Sequence, residues 1–590
     1  MLWQVKPLRQ RSNSPVSLPE LFCCVLSAAL LTLSLPNYNL GFLAWCGFVP
    51  LFLVIETKPI WKAFILSYLT GFIFWWGCIY WLVHVTLLGA VIFIFYLALY
   101  FGIFGLIISS MNYGLKAKSY FFIPALWVIL EYIRSHFLTG FPWALLAYSQ
   151  YLYHPLIQIA DFSGAWGVSF LVMMGNVAIK EIAGARILVI DKNEQKRLQF
   201  SITVFFLCLI FTIGYGYYRL QQKCAINHQI PIKISVVQPN IAQELKWDIR
   251  ARDFIINRYA AISRQAAEVL PDLIIWPEAA LPAVVQEEPL YYRKVIELVT
   301  DIKTPLLMGA VTSSTEGYGQ LSVDVLGQKQ DNPEQKTKDK WLTGSGLHLT
   351  DKEASGTTDF SPYGFALNYV RYYNSALLIS DKGRLLGSYD KLHLVPFGEY
   401  VPLRKVFHFL ETIAPIGDIT PGKDYTVFSQ YVTCASGKKI VKFAVLICFE
   451  DLFPELSREF VKRGAQFLVN ITNDAWYKHT SAPYQHMVAS VFRAVENRVY
   501  VARCANTGVS GFIDPCGKIV SLVKDASGRN IFVCGYLTES IAAGENSPTF
   551  YTKYSDIFVG ICALFMLYSI MSIVRNKRHK SNITQAKNAN

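Results

Sequence analysis

Three polar residues in this sequence stand directly after apolar, strand-like runs, and their types suit acyl transfer by a thiol. Cys448 follows the run 444–447, and Glu278 comes just after the run 273–276. A thiol attacks an acyl carbon only after losing its proton, so it needs a neighbouring base. The oxyanion that then forms needs a fixed positive charge or N–H donors. We therefore predict Cys448 as the nucleophile, Glu278 as its base and Lys391 as the oxyanion-stabilising cation.

Several neighbours of these three residues are candidates for supporting roles. The backbone N–H of Phe449 follows the nucleophile and can add a donor to the oxyanion. Glu399 lies eight positions beyond Lys391, across Pro396, so a turn there can return its carboxylate to the ammonium. Glu450 can approach the same ammonium from the other side, and the sequence leaves both alternatives open.

Aromatic and amide residues near these segments are candidates for a substrate pocket. Asn473, Trp476 and Tyr477 follow an apolar run and enter a polar turn, and Trp247 lies in a short polar segment after the first strand-like run. An apolar pocket would keep water away from an acyl intermediate. Each aromatic side chain can equally belong to the core, and the sequence does not decide between the two.

The elements that must position these residues alternate along the chain. From about residue 231, apolar strand-like runs alternate with amphipathic helical segments, which predicts a layered α/β or α+β domain over 221–552. The stretch 313–365 is polar and Gly-rich, and we expect either a lid or a surface insertion there. Strands are expected at 232–238, 273–276, 306–311, 373–380, 384–390, 440–447, 467–472 and 499–505, and helices at about 251–269 and 289–301.

The remainder of the chain is too apolar for an ordinary soluble domain. Of its 590 residues, 53% are hydrophobic and 16% are charged. A run of about 20 apolar residues can cross a bilayer. We predict a membrane domain with seven spans over 1–220, and an eighth span with a basic tail over 553–590. The spans are expected at roughly 19–35, 39–55, 61–85, 88–113, 119–136, 157–179, 199–218 and 554–574.

The net charge of +13 does not indicate nucleic acid binding. Cationic residues collect in alternate short loops between the predicted spans and in both tails, as the positive-inside rule requires of cytoplasmic segments. We therefore expect both termini in the cytoplasm and the 221–552 domain on the opposite side of the membrane. The twelve cysteines contain no CxxC pair, so the sequence indicates no zinc site, and we expect no metal or cofactor.

The three candidate residues resemble a known family only when they are taken together and in order. A single buried cysteine is usually a core residue, and single glutamates and lysines are usually surface charges. In the order Glu278, Lys391, Cys448 they resemble the triad of the nitrilase superfamily, and 473–476 resembles its Asn-Asp-x-Trp stretch. The resemblance implies an α-β-β-α sandwich for the domain at 221–552.

The predicted membrane half points to one branch of this superfamily. A nitrilase-like domain behind seven predicted spans, with one span after it, is similar to the apolipoprotein N-acyltransferases of the Gram-negative inner membrane. Segments 131–134, 139–143 and 148–150 resemble that family's motif after its fifth span, and Trp247 matches a tryptophan near its pocket. Position 449 is Phe where family members often have Tyr, so a role for that hydroxyl does not carry over.

The resemblance implies two half-reactions and two lipid substrates. Cys448 would take an acyl chain from a phospholipid, with phosphatidylethanolamine as the expected donor, and form a thioester. The α-amino group of a diacylglyceryl-cysteine on an apolipoprotein would then take the chain from the sulfur. A periplasmic domain held against the bilayer by spans on both sides could receive both lipids laterally.

Two rival functions use the same sequence features. A membrane-tethered nitrilase-type amidase would use the same triad to hydrolyse small amides, although one span would suffice as an anchor. A transporter with an external domain would need intramembrane charges along a path, and the candidates are Glu131, Arg134 and Asp161. All three lie near predicted span ends, which favours the acyltransferase.

Overall fold

A helical half and an α/β half make up the chain. The computed structural model describes residues 15–56, 58–111, 119–187, 192–222, 230–315, 370–400, 419–434, 437–544 and 547–588. Its helices are α1 (Leu18–Leu33), α2 (Val49–Ile55), α3 (Ile60–Ile79), α4 (Leu87–Met111), α5 (Ser119–His136), α6 (His154–Ile157), α7 (Ala160–Ser163), α8 (Ala165–Ile187), α9 (Lys192–Gln221), α10 (Arg252–Ala267), α11 (Pro289–Ile302), α12 (Pro454–Lys462), α13 (Ala482–Asn497), α14 (Phe550–Tyr554) and α15 (Ile557–Asn588).

Several helices of the helical half are long and apolar enough to cross a membrane. The described residues contain five such segments: Ile60–His84, Leu87–Met111, Ala165–Ala183, Leu198–Gln221 and Ile557–Arg575. Two further apolar segments, Leu18–Leu33 and Gly41–Ile55, are shorter. These helices support the interpretation that the chain is a membrane protein, while the count of about eight spans stays a prediction.

Three predicted spans, the second, fifth and sixth, differ from single apolar helices for local reasons. The sixth, expected at 157–179, is interrupted at Gly164, which has a φ of 64° and separates α7 from α8. The second is divided between a short 3₁₀ helix and α2. The fifth forms α5 but contains an internal proline, Pro124, and the buried charges Glu131 and Arg134.

Both of those buried charges bind the backbone of the loop that follows α5. Glu131 accepts a hydrogen bond from the N–H of Leu146 at 2.7 Å. Arg134 donates to the carbonyl oxygens of Phe141 and Trp143, both at 2.7 Å. Together the two side chains fix the loop that follows α5. This arrangement gives the transporter interpretation no support from either residue.

Two six-stranded sheets form the centre of the α/β half. Their orders are β12-β1-β2-β3-β4-β5 and β11-β10-β9-β8-β7-β6. The first sheet contains β1 (Ile230–Gln238), β2 (Leu273–Ile275), β3 (Leu306–Thr315), β4 (Val370–Ile379), β5 (Leu385–Asp390) and β12 (Gly535–Ala543). The second contains β6 (Val427–Cys434), β7 (Gly437–Ile447), β8 (Phe467–Thr472), β9 (Tyr500–Ala505), β10 (Gly511–Ile513) and β11 (Ile519–Leu522).

Alternation along the strands explains why the sheets stack. Leu273 and Ile275 on β2 belong to the apolar cluster shared with the second sheet. Ile274 between them belongs to a separate cluster with residues of α10 and α11 on the outer face. Successive side chains on a strand point to opposite faces, so β2 serves two apolar layers at once. With α12 and α13 against the second sheet, the half is an α-β-β-α sandwich.

The predicted strands are confirmed in place, with one boundary that was wrong. The polar stretch expected from residue 313 begins too early, because β3 continues to Thr315. Ser313 pairs with Tyr372 and Thr315 with Val370 in an antiparallel ladder, so polar side chains here lie on a paired strand. Residues 316–369, which contain the rest of the predicted insertion, lie outside the described residues.

One glutamine of α13 joins the two halves. Gln485 accepts hydrogen bonds from the indole N–H groups of Trp81 at 3.2 Å and Trp143 at 2.8 Å. Its amide group donates to the carbonyl oxygens of Pro36 and Cys78 at 3.2 and 3.1 Å. All four partners belong to the helical half. A single buried side chain therefore ties three separate segments of that half to the sandwich.

Candidate active site

The three predicted site residues lie just beyond the ends of three strands. Glu278 follows β2, Lys391 is the residue after β5, and Cys448 is the residue after β7. All three side chains are buried, and Lys391 is 1% exposed. Strands fix these positions more rigidly than a long loop would, which is what a reacting group requires.

The Lys391 ammonium lies between two carboxylates. Its Nζ is 2.9 Å from Oε2 of Glu399 and 3.6 Å from Oε1 of Glu278. Burial alone would lower the pKa of Lys391, but these two carboxylates outweigh it and raise the pKa above its ordinary value. The ammonium is therefore a permanent positive charge beside the base.

Asn374 on β4 bridges the same two carboxylates. Its Nδ2 donates to Oε1 of Glu278 at 2.8 Å and to Oε1 of Glu399 at 2.7 Å. The backbone N–H of Asn473 donates to the other oxygen of Glu278 at 3.0 Å. Sequence reasoning missed Asn374, although a polar residue within an otherwise apolar strand was a signal. Asn473, predicted as a pocket residue, binds the carboxylate of the predicted base through its backbone N–H.

Glu450 takes a different position from the one considered for it. Its carboxylate accepts hydrogen bonds from the backbone N–H groups of Leu392, His393 and Ile447, and from the hydroxyl of Tyr389. Of the two candidates, Glu399 is the one that contacts Lys391. Burial raises the pKa of Glu450 to about 7, against the opposing effect of these donors. Glu450 thus ties the nucleophile's strand to the Lys391 loop.

The predicted nucleophile, Cys448, has a strained backbone and a protonated thiol. Cys448 has a φ of 54°, in the left-handed region that costs a non-glycine residue energy and occurs often at functional sites. Burial raises the pKa of its thiol well above the ordinary value. The Glu278 carboxylate adds to the rise and the Lys391 ammonium opposes it. The thiol therefore carries its proton near neutral pH and would need a base before it could act as a nucleophile.

A buried group of four charged side chains contacts the backbone of Cys448 through its histidine. We call Asp451, Asp474, His486 and Arg503 the charge cluster; each is at most 1% exposed. The His486 ring contacts Asp474 through Nδ1 at 2.9 Å and Asp451 through Nε2 at 3.0 Å. Its Nε2 also lies 3.2 Å from the carbonyl oxygen of Cys448. Both ring nitrogens face acceptors, and the pKa of His486 is raised to about 9 by the aspartates, against burial.

Arg503 completes the charge cluster on the other side. Its Nη1 is 3.0 Å from Asp451 and its Nη2 is 3.3 Å from Asp474. Two positive and two negative groups therefore balance within the cluster. From the sequence, Asp474 was included only as part of the stretch 473–476, and no role was assigned to His486. The signal was a histidine on an apolar helix and an aspartate three residues after the nucleophile.

The predicted pocket residues divide into two groups. Trp247 and Trp476 are 48% and 51% exposed, so they are not core residues. Tyr477 packs edge-on against Trp81 of the helical half, with ring centroids 4.6 Å apart. Phe449 is buried and its ring centroid lies 6.4 Å from that of Trp143. Aromatic rings therefore line the boundary between the nucleophile and the helical half.

The Lys391 loop also touches the helical half. Nε2 of His393 lies 3.1 Å from the carbonyl oxygen of Thr139. Burial lowers the pKa of His393 to about 4, so the neutral ring donates this hydrogen bond. The predicted motif at 139–143 thus borders the site, with Phe141 and Trp143 on one side of Phe449.

Comparison with known proteins assigns both halves. The model of the apolipoprotein N-acyltransferase N-terminal domain matches residues 27–178, and the carbon-nitrogen hydrolase model matches 356–533. An apolipoprotein N-acyltransferase of Geobacter metallireducens is 34% identical over 569 residues, covering 94% of this chain and 95% of the relative. One from Chlorobaculum tepidum is 29% identical, covering 92% of this chain and 94% of the relative.

A solved structure also resembles part of the chain. An amidase of the nitrilase superfamily from Nesterenkonia has 15% identity and a TM-score of 0.34, over 57% of this chain and 98% of its own. The carbon-nitrogen hydrolase match and the sandwich define the class of the catalytic half. The relatives that match almost from end to end define the family: this chain belongs to the apolipoprotein N-acyltransferases.

Proposed function

We propose that this chain transfers a fatty acyl chain from a membrane phospholipid to the α-amino group of an S-diacylglyceryl-cysteine at the N-terminus of an apolipoprotein. The observation that carries the proposal is a buried thiol, carboxylate and ammonium in a sandwich that is hydrogen-bonded to one of the apolar segments long enough to span a membrane. The names of relatives that match nearly the full chain support acyl transfer over the amidase alternative.

In the first half-reaction Glu278 takes the proton of Cys448 as the sulfur attacks an ester carbonyl of the phospholipid. The carbonyl π pair moves to oxygen, and Lys391, whose ammonium is held by Glu399, stabilises the oxyanion. The carbon–oxygen ester bond then breaks. The departing alkoxide takes the proton from Glu278 and leaves as a lysophospholipid, while the acyl chain stays on sulfur as a thioester.

In the second half-reaction the acceptor nitrogen attacks the thioester carbonyl. The carbon–sulfur bond breaks, and Glu278 passes a proton from the nitrogen to the Cys448 sulfur. The product is an amide-linked, triacylated lipoprotein. Water would compete with the amine, and the aromatic rings around Phe449 exclude it on the side of the helical half.

The proposed location follows from the lipid nature of both substrates. We place the chain in a bacterial inner membrane with both termini in the cytoplasm and the sandwich in the periplasm, as the loop charges predict. Phosphatidylethanolamine is the proposed donor. Apolar helices before and after the sandwich hold it against the bilayer, where both lipids are present.

Intact mass spectrometry of the full chain, incubated in detergent with phosphatidylethanolamine, tests the proposal. We expect one added acyl mass that maps to Cys448 and disappears with hydroxylamine, and its transfer to a diacylglyceryl-cysteinyl peptide. Cys448→Ala should lose the adduct, and Glu278→Gln should form it at least about 100-fold more slowly because the thiol loses its base. The exposed Cys534 provides the control, since Cys534→Ala should acylate normally.

Two results would contradict the proposal. The first is an acyl adduct that maps to a cysteine other than Cys448. The second is a purified chain that hydrolyses small amides but transfers no acyl chain to the peptide, which is the behaviour of the amidase alternative.

A further inference from the structure

A second buried lysine lies in the site, and the mechanism above gives it no task. Lys246 is 6% exposed, and its Nζ donates to the backbone carbonyl oxygen of Glu278 at 2.9 Å. It follows directly on a short 3₁₀ helix, Gln243–Leu245, whose Gln243 accepts a hydrogen bond from Asn473 at 2.8 Å. Since the Asn473 backbone binds the Glu278 carboxylate, this segment forms one wall beside the base.

The surroundings of Lys246 differ from those of Lys391. Lys391 lies between two carboxylates, whereas Lys246 donates to a neutral carbonyl oxygen. Burial lowers the pKa of Lys246 to about 8, and the nearby Glu278 and Cys448 oppose this only in part. One lysine of the site is thus permanently charged, and the other can release and regain a proton near neutral pH.

The proton balance of the second half-reaction calls for such a group. An α-amino group has a pKa of about 7.7–8.0, so at neutral pH most of the acceptor arrives as an ammonium. Forming the amide removes two protons from that nitrogen. Glu278, which gave its proton to the lysophospholipid, can accept one of them and deliver it to the Cys448 sulfur. The other proton is surplus and needs a second acceptor.

We propose that Lys246 is this acceptor: a second catalytic base that deprotonates the incoming α-ammonium before it attacks the thioester. The inference rests on the proposed function and deepens it. The contact with the Glu278 carbonyl places the amine of Lys246 beside the base. Trp247, the next residue, is half exposed, so the segment also reaches the surface of the protein.

Two variants distinguish a role of Lys246 as a proton acceptor from a purely structural role as a hydrogen-bond donor to the backbone of Glu278. Lys246→Met removes both the charge and the donor. Lys246→Arg keeps a charged donor but cannot release its proton at any relevant pH. Each full-length variant is acylated in detergent with phosphatidylethanolamine, the acylated protein is isolated, and its transfer to a diacylglyceryl-cysteinyl peptide is timed at pH 7 and pH 9. Thermal melting checks the fold.

Because roughly one acceptor amine in ten is already neutral at pH 7 and needs no base, we expect both variants to transfer about 10-fold more slowly than the wild type at pH 7 and to lose far less in thioester formation. The deficit should shrink to less than about twofold at pH 9, where most of the acceptor amine is already neutral. Transfer at the wild-type rate in Lys246→Met, restoration of transfer by Lys246→Arg, or equal losses in both half-reactions would each overturn the inference. A wild-type chain that never acylates Cys448 would instead refute the proposed function.

Discussion

Raising the pH from 6.5 to 9.5 should destabilise the sandwich through one imidazole of the charge cluster. His486 is 1% exposed and contacts a carboxylate with each ring nitrogen. Burial alone would raise the pKa of Asp451 and Asp474, but His486 and Arg503 outweigh it and lower both. The cluster therefore balances only while the imidazole is charged. Deprotonation would leave two buried carboxylates against a single guanidinium.

The size and sign of the effect follow from the pKa of His486. The folded-state pKa of about 9 lies above the ordinary value of 6.5. A raised pKa gives stability that is fully present below the unfolded pKa and is lost as the pH rises through the folded one. At about 1.4 kcal/mol per unit, the contribution is about 3 kcal/mol. Loss of one partner from a buried ion pair costs about the same, 3–5 kcal/mol.

Thermal melting of the full chain in detergent at the two pH values measures this contribution. At roughly 2 °C per kcal/mol, His486→Gln should lower the Tm by about 6 °C at pH 6.5. The gap between variant and wild type should nearly close at pH 9.5, because the wild-type imidazole is by then mostly neutral. His479→Gln is the matched control, since His479 is exposed and stacks on Phe532 outside the charge cluster.

Comparing the two Tm gaps isolates His486 from every other group that titrates in this range. If the Tm gap for His486→Gln is the same at both pH values, the imidazole is not a charged member of the cluster. If the control variant shows the same pH-dependent gap, the effect does not belong to the contacts of His486. Either result would refute the reasoning.

Two further substitutions test the contacts of the site. Glu399→Gln should slow thioester formation at least about 100-fold, because the buried ammonium of Lys391 loses its main counter-charge. Rapid-quench mass spectrometry measures this rate. A decrease in rate of less than about threefold would contradict the proposed role of Glu399. Gln485→Ala should lower the Tm in detergent by several degrees, because two indole N–H groups and two carbonyl oxygens lose their hydrogen-bond partner. Each of these groups that finds no water costs about 1–3 kcal/mol. A change in Tm below about 1 °C would show that water replaces the amide.

The local patterns identified eight of the strands, while β6, β10, β11 and β12 were missed, and β12 shows the effect of long-range pairing. The apolar runs expected at 273–276 and 440–447 became β2 and β7, since burial on both faces leaves an unbroken apolar run. β12 was missed because its sequence mixes polar and apolar residues. It pairs antiparallel with β1, about 300 residues earlier in the chain, and no local signal records that partner.

In the site as well, residue types could be interpreted from the sequence, whereas contacts between residues could not. The types of Cys448, Glu278 and Lys391 suggested their chemistry, since few residues can serve as thiol, base and fixed cation. The sequence left open whether Glu399 or Glu450 meets Lys391, because both lie within reach along the chain. The turn at Val395 settles the contact: its N–H donates to Glu399 at 2.8 Å and returns that carboxylate to the ammonium.

Adjacent residues of α13 connect the membrane helices to the nucleophile. Gln485 binds carbonyl and indole groups of the helical half, and the next residue, His486, contacts the carbonyl oxygen of Cys448. Neighbours on a helix are about 100° apart, so one turn of α13 presents one side chain to each partner. A shift of the helical half at Gln485 must therefore move or strain the backbone behind the sulfur. The helical half is thus linked to the backbone of Cys448 through two neighbouring side chains.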